Sequence, residues 1–168
     1  MTTKYVDMDI RQDEGFRADA YPDPLSGGDP WTIGFGSTGP GIAKGVKWTL
    51  AQAVADQMKR RQSIEVALDQ SIGWWRSLCD ERQDVLVNMA YNLGTYGVLA
   101  FHHMLAAAQA GDFKTAAAEM LASTWATQVK RRATRLANQM LSGVRVQDGS
   151  LLVHDDDFAQ DATKAALG

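Results

Sequence analysis

Glu14 and Asp23 stand nine residues apart in a 168-residue chain, within the stretch "DEGFRADAYPDPLSGGDPWTIGFGSTG". Glu14 is expected at the end of a short helix beside Gly15 and Phe16, where an apolar neighbour raises a carboxyl pKa. Asp23 falls in a Pro-flanked loop that stays polar and solvated. Two carboxyls in unlike surroundings, brought together by a chain reversal, meet the needs of acid–base hydrolysis of a glycosidic bond. One carries a proton for the leaving oxygen and the other stays charged. Thr32 lies on the next alternating segment, and its hydroxyl can hold a water. A helix cap and a turn residue would also give a Glu-x8-Asp pair. With 20 acidic residues in the chain, spacing alone does not separate the two.

The elements that must carry these residues can be read from periodicity. Val6 and Ile10 start an amphipathic helix that continues to Glu14 and stops near Gly15. "FRADAY" alternates weakly, and "PDPLSGGDP" can only be a loop. "WTIGFG" alternates again, with Trp31, Ile33 and Phe35 on one side and Thr32, Gly34 and Gly36 on the other. The glycines are expected to leave that second face open to something large.

From Thr49 the pattern changes. Thr49 and Gln52 fit a capping box, and neither Gly nor Pro interrupts the chain until Gly73. The spacing predicts a helix of about 22 residues, roughly 33 Å long. Its polar middle, "KRRQSIE", is expected to bridge two lobes. Four more helices follow. One starts at Asp80, carries Val85, Leu86, Met89, Ala90 and Leu93, and stops at Gly94. The others are "FHHMLAAAQA", "FKTAAAEMLAS" and "TQVKRRATRLANQMLS", the last with Val129, Ala133, Leu136, Ala137 and Met140 on one stripe. "VRVQDGSLLV" is either a small hairpin around Asp148-Gly149 or a frayed tail.

Composition sets the outer bounds. A chain 45% hydrophobic and 22% charged is ordinary for a globular protein, and a net charge of −3 gives no argument for nucleic acid. Cys79 is the single cysteine, so no internal disulfide forms. "MTTKYVDMDIRQDEG" has no apolar run and no stretch reaches the length of a transmembrane helix. Neither a signal peptide nor membrane insertion is expected, and the chain is expected to accumulate in the cytoplasm until another protein releases it.

Three motifs together resemble one known family. "EGFRADAYPD" followed by "WTIGFGSTG" is similar to the opening of the bacteriophage lysozymes of glycoside hydrolase family 24, the T-even type of tailed-phage endolysin. "RQDVLVNMAYNLGTYGVLAF" resembles that family's central helix with its Gly-containing turn, and "STWATQVKRRATRLANQM" its Trp-x-x-Gln…Arg-Ala-x-Arg helix. The resemblance runs in order from about Tyr5 to Leu141. It implies an α+β lysozyme-like fold: a small N-terminal lobe with a β-hairpin (1–48), a connecting helix (49–73), a helical C-terminal lobe (74–142) and an acidic extension (143–168).

The resemblance also implies roles. Glu14 would be the general acid, Asp23 the carboxylate that activates or orients water, and Thr32 the residue that holds this water, giving inversion. Arg132 would reach across a cleft to orient Glu14. Tyr91 would line the sugar cleft, with core packing as its alternative. Gln128 would bond an N-acetyl or peptide group, with a helix-surface amide as its alternative. Two departures stand out. Gly36-Ser37-Thr38 replaces a common Gly-His-Thr, and a longer loop makes Asp29 a rival to Asp23.

The expected substrate is therefore the peptidoglycan glycan strand, cut at the β-1,4 bond between N-acetylmuramic acid and N-acetylglucosamine. No cofactor is called for. A monomer acting in host lysis is expected, released from the host cytoplasm to the periplasm and wall through a holin. A lytic transglycosylase, or a wall-binding or tail structural protein on a lysozyme scaffold, is the alternative.

Of the remaining residues, His102 and His103 point about 100° apart on a helix and cannot share a metal, so no metal site is expected. Trp74-Trp75 reads as packing at the lobe junction or as a glycan contact. Lys59-Arg60-Arg61 and Lys130-Arg131-Arg132 with Arg135 read as solvated helix faces, or as attraction to anionic wall polymer.

Overall fold

The computed structural model describes residues 1–24 and 26–147. The hairpin or tail expected around Asp148-Gly149 lies outside the described residues. The chain forms two compact units, Lys4–Ser71 and, separately, Met1–Thr3 with the chain from Ile72 onward.

The Lys4–Ser71 unit opens with α1, Val6–Glu14, which buries Val6, Asp9 and Ile10 on one side. The 3–4 spacing of these residues puts them on one helical face. Gly15 ends the helix at φ 70°, donating its N–H to the Arg11 carbonyl, a conformation that costs a glycine little. Strands β1 (Arg17–Tyr21), β2 (Thr32–Gly34) and β3 (Ser37–Thr38) follow as an antiparallel sheet in that order. Tyr21 pairs with Thr32 and Arg17 with Gly34, with a register shift between them. The other edge of β1 is also used. Ala20 donates to the Val46 carbonyl and Trp48 to that of Ala18, and Lys47 is ion-paired with Asp19 at 2.7 Å.

Two details differ from the expected hairpin. The alternation of "WTIGFG" does not run through as one strand, because Gly34 (φ 65°) and Gly36 (φ 80°) reverse the chain around Phe35 and start β3. Nor is the glycine face open. A Cβ on Gly34 would lie 2.9 Å from the Trp48 ring and 3.2 Å from the Ala53 Cβ. The space left by the missing side chain is filled by an indole. Ile33 and Phe35, on the other side, are buried as their pattern required.

Helix α2, Leu50–Ser71, has the expected 22 residues. The capping box is formed: Gln52 N–H donates to the Thr49 hydroxyl at 3.2 Å, and Thr49 N–H donates to the Gln52 side chain at 2.8 Å. Gln57 and the polar middle that follows it are held by partners within the unit. Gln57, fully buried, donates to Asp7 Oδ1 at 2.8 Å and accepts from Arg11 at 3.1 Å. Arg61 pairs with Asp7 at 2.9 Å and with Glu65 at 2.6 Å. Burial acts to lower the Arg61 pKa, but the two carboxylates outweigh it and hold it raised. Helices α1 and α2 are thus joined through buried Gln57 and part-buried charged groups that find partners in one another, as burial demands.

The second unit is helical: α3 Asp80–Leu93, α4 Thr95–Leu99, α5 His102–Gln109, α6 Phe113–Leu121, α7 Thr124–Val129 and α8 Arg131–Ser142. Every residue of α3 from Gln83 to Tyr91 is buried. A helix covered on all sides is the centre of its fold. α8 packs on α3 and α6, and α6 on α5. Alanines at 116, 117, 133 and 137 are buried on α6 and α8. Met1 and Thr3 belong here because the amino terminus meets Asp80 at 2.8 Å and Thr3 N–H donates to Asp84 at 2.8 Å.

The expected fourth helix is two. Lys130 sits at φ 48° between α7 and α8, a conformation that costs a non-glycine residue energy. α4 was not anticipated. The basic stripe is only partly a solvated face: Lys130 and Arg131 are exposed, whereas Arg132 and Arg135 are buried at 8% and 6% exposure. Trp75 is fully buried, with the Arg76 guanidinium stacked 4.0 Å from its ring centre. Helices with one small three-stranded sheet make this an α+β protein, as expected. Among the described residues no helix is long and apolar enough to cross a membrane.

Candidate active site

Three of the six residues singled out by sequence lie in the Lys4–Ser71 unit. Glu14 is the last residue of α1 and is half-buried. Its carboxylate rests against the turn between β2 and β3: a Cβ on Gly36 would sit 3.3 Å from Glu14 Oε2. Phe16 packs on Phe35 with ring centres 5.7 Å apart, which ties the chain just after Glu14 to the same turn.

Thr32 opens β2, with Tyr21 beside it on β1 and Thr38 on β3. Two residues past Tyr21 the chain reaches Asp23. Asp23 N–H donates to the Gly28 carbonyl at 3.0 Å, and Gly27 N–H donates back to the Asp23 carbonyl at 2.8 Å. One oxygen of its carboxylate accepts from Ser26 N–H at 3.3 Å. Asp23 is thus a turn residue, as the plainer reading of its spacing had it, and its half-buried side chain is held on a defined loop. Asp29, the rival, is exposed, and its carbonyl accepts from the Ser26 hydroxyl at 2.9 Å. One small sheet and its loop therefore carry Thr32 and Asp23, and the end of the same sheet meets Glu14.

Arg132, Tyr91 and Gln128 lie in the helical unit. Tyr91 is on α3 at 5% exposure, and Gln128 is exposed on α7. Arg132, at the start of α8, donates from Nε to the Asn88 side-chain oxygen at 2.8 Å and from Nη2 to the Asn88 carbonyl at 3.1 Å. Sequence reasoning missed Asn88. The signal was there, because an amide inside "VLVNMA" interrupts an otherwise apolar helix face. In the first unit it noted Ser37 only as a departure, read Arg60 only as part of a basic patch, and passed over Asp56. Ser37 is buried and donates to the Asp56 carboxylate, and Arg60 donates to the Phe35 carbonyl at 3.2 Å and to the Ser37 hydroxyl at 3.1 Å.

This arrangement can present a carboxyl at a helix end, a hydroxyl on a sheet and a second carboxylate on that sheet's loop. Among the described residues no group of three or more His, Cys, Asp or Glu side chains gathers as metal ligands would.

The chain is 39% identical over 69 residues to the pre-baseplate central spike protein Gp5 of Enterobacteria phage T4. That match covers 41% of this chain and 12% of the spike protein, so the chain spans a small part of its relative's length. A family model described as phage lysozyme matches residues 11–140, a span that holds Glu14, Asp23, Thr32, Tyr91, Gln128 and Arg132. With a model matching over most of its length and an α+β fold of the lysozyme-like kind, the chain belongs to the phage lysozyme family.

Proposed function

We propose that this chain is a muramidase that hydrolyses the β-1,4 bond between N-acetylmuramic acid and N-acetylglucosamine with inversion. Membership of the phage lysozyme family implies glycosidase action on peptidoglycan. The observation that carries the finer reading is the placement of Glu14, whose carboxylate ends a helix and abuts the turn of the sheet that bears Thr32. Glu14 gives its proton to the leaving oxygen. A water held by Thr32 and oriented by Asp23 attacks the anomeric carbon from the opposite face, and the C–O bond breaks as the new one forms. The proton released by the water passes to Asp23. The atoms balance without metal or cofactor.

Arg132, fixed by Asn88 in its own unit, supports catalysis. Tyr91 and Gln128 contact the sugar chain. The chain acts as a monomeric endolysin on peptidoglycan, reaching the wall through a holin. One observation favours a second setting for the same chemistry. Likeness to a central spike protein supports a lysozyme carried on the virion.

The test is turbidity loss of permeabilised Gram-negative cells by the wild type against Glu14→Gln. This near-isosteric change removes the transferable proton, so the fold is expected to survive while the rate falls by about 10²–10⁴-fold. A Glu14→Gln protein that clears cells at the wild-type rate would remove Glu14 from the mechanism. Protein that binds walls and never clears them would favour a wall-binding role.

A further inference from the structure

We infer that Arg60, supported by Ser37 and Asp56, is a positioning residue for Glu14, an assignment that rests on the catalytic reading above. The polar middle of α2 holds two different elements from adjacent positions. Arg61 reaches α1 through Asp7 at 2.9 Å. Arg60, about 100° away around a helix of 3.6 residues per turn, reaches the sheet instead. Its Nη1 donates to the Phe35 carbonyl at 3.2 Å and to the Ser37 hydroxyl at 3.1 Å. Ser37 is 4% exposed and donates its own hydroxyl hydrogen bond to the Asp56 carboxylate. Asp56 precedes Arg60 by one helical turn and so lies on the same face of α2.

Phe35 and Ser37 are the two neighbours of Gly36, and Gly36 is where the turn meets Glu14 Oε2. Both flanks of that contact are therefore anchored on one guanidinium nitrogen. On the other side of the turn, the buried Phe35 ring holds Phe16, two residues beyond Glu14. α1, which carries Glu14, is fastened to the same helix by Gln57 and Arg61. α2 thus fixes both the helix that bears the carboxyl and the turn that backs it.

The consequence is chemical. A group that hands a proton to a glycosidic oxygen must be held to a fraction of an ångström, and a misplacement of about 1 Å costs on the order of 10²-fold in rate. Without Arg60 the turn keeps its two short ladders but loses the bonds on either side of Gly36. Arginine suits this task because its planar fork fixes direction as well as charge, whereas an ammonium group supplies charge alone.

The test uses the full chain on soluble peptidoglycan oligomers, with reducing ends measured across pH. Arg60→Ala is expected to lower kcat by about tenfold or more with KM little changed, and to move the alkaline limb of the pH–rate profile, where activity is lost as the proton donor ionises. Arg60→Lys is expected to recover part of the loss, and Ser37→Ala to show a smaller fall of the same kind.

Wild-type kcat and an unmoved profile in Arg60→Ala would overturn the assignment. So would a fall that only tracks the folded fraction while the profile stays in place. Should Arg60→Ala fail to fold, Ser37→Ala carries the same readouts, since it removes a single hydroxyl. A wild type that releases no reducing ends would end the muramidase reading and this one with it. An active wild type with an indifferent Arg60→Ala would end this one alone.

Discussion

Arg132 is held by Asn88 through both ends of that residue: Nε donates to the amide oxygen at 2.8 Å and Nη2 to the backbone carbonyl at 3.1 Å. Both residues are buried, Asn88 at 2% exposure. Asn88→Ala removes a bond to a buried cation and should cost about 2 kcal/mol, read from urea unfolding. If Arg132 takes part in catalysis, activity should fall further than Asn88→Ala lowers the folded fraction. An unchanged unfolding midpoint would show that the guanidinium finds another partner at no cost.

Gly34 and Gly36 are two residues apart, both at positive φ, yet they should fail differently. Gly34→Ala drives a methyl to 2.9 Å from the Trp48 ring, adding overpacking to backbone strain. A loss of about 2–4 kcal/mol is expected. Gly36→Ala meets the Glu14 carboxylate at 3.3 Å, so its methyl displaces the proposed acid. Its stability loss should be near the strain alone, about 1–2 kcal/mol, while activity drops sharply. Equal activity losses per unit of stability in the two variants would contradict this.

Thr49→Ala is the control for effects that are only structural. It removes the hydroxyl that accepts from Gln52 N–H at the start of α2. A cost of about 1 kcal/mol is expected, with kcat at the wild-type value on protein that is still folded.

How much of this was legible in the sequence follows from the range of each interaction. α1, the capping box of α2 and the span of α3 were all readable, because a cap, a stop glycine and a 3.6-residue stripe are local. β3 was not, since two residues carry no period. Nor was the break at Lys130, because lysine is a good helix former and nothing local forbids the helix to continue there. The basic stripe misled in part for the same reason: Arg132, which is buried, is bonded to Asn88, 44 positions away. At the site, Glu14 and Thr32 could be singled out by motif. The Arg60–Ser37–Asp56 cluster could not, because a helix and a turn far apart in the chain meet only after folding.

One acid-dependent contribution to stability can be assigned. Asp112 caps α6 by accepting from Thr115, whose side-chain and backbone bonds pull the carboxyl below its ordinary value of 3.8. A carboxyl depressed by folding contributes stability above that ordinary value and loses it as pH falls through the lowered one. Asp112→Asn, which keeps a capping oxygen, should therefore flatten the acid end of the stability–pH curve below that value. An identical curve would show that the cap does not titrate with folding.

The chemistry itself is read most directly from muropeptides. Purified peptidoglycan is digested in ¹⁸O-labelled water and the products are weighed by mass spectrometry, with Glu14→Gln alongside. Wild-type products should end in reducing N-acetylmuramic acid carrying one ¹⁸O, and the variant should release almost none. Anhydro ends without the label, or labelled ends at equal yield from Glu14→Gln, would contradict water-mediated hydrolysis driven by that carboxyl.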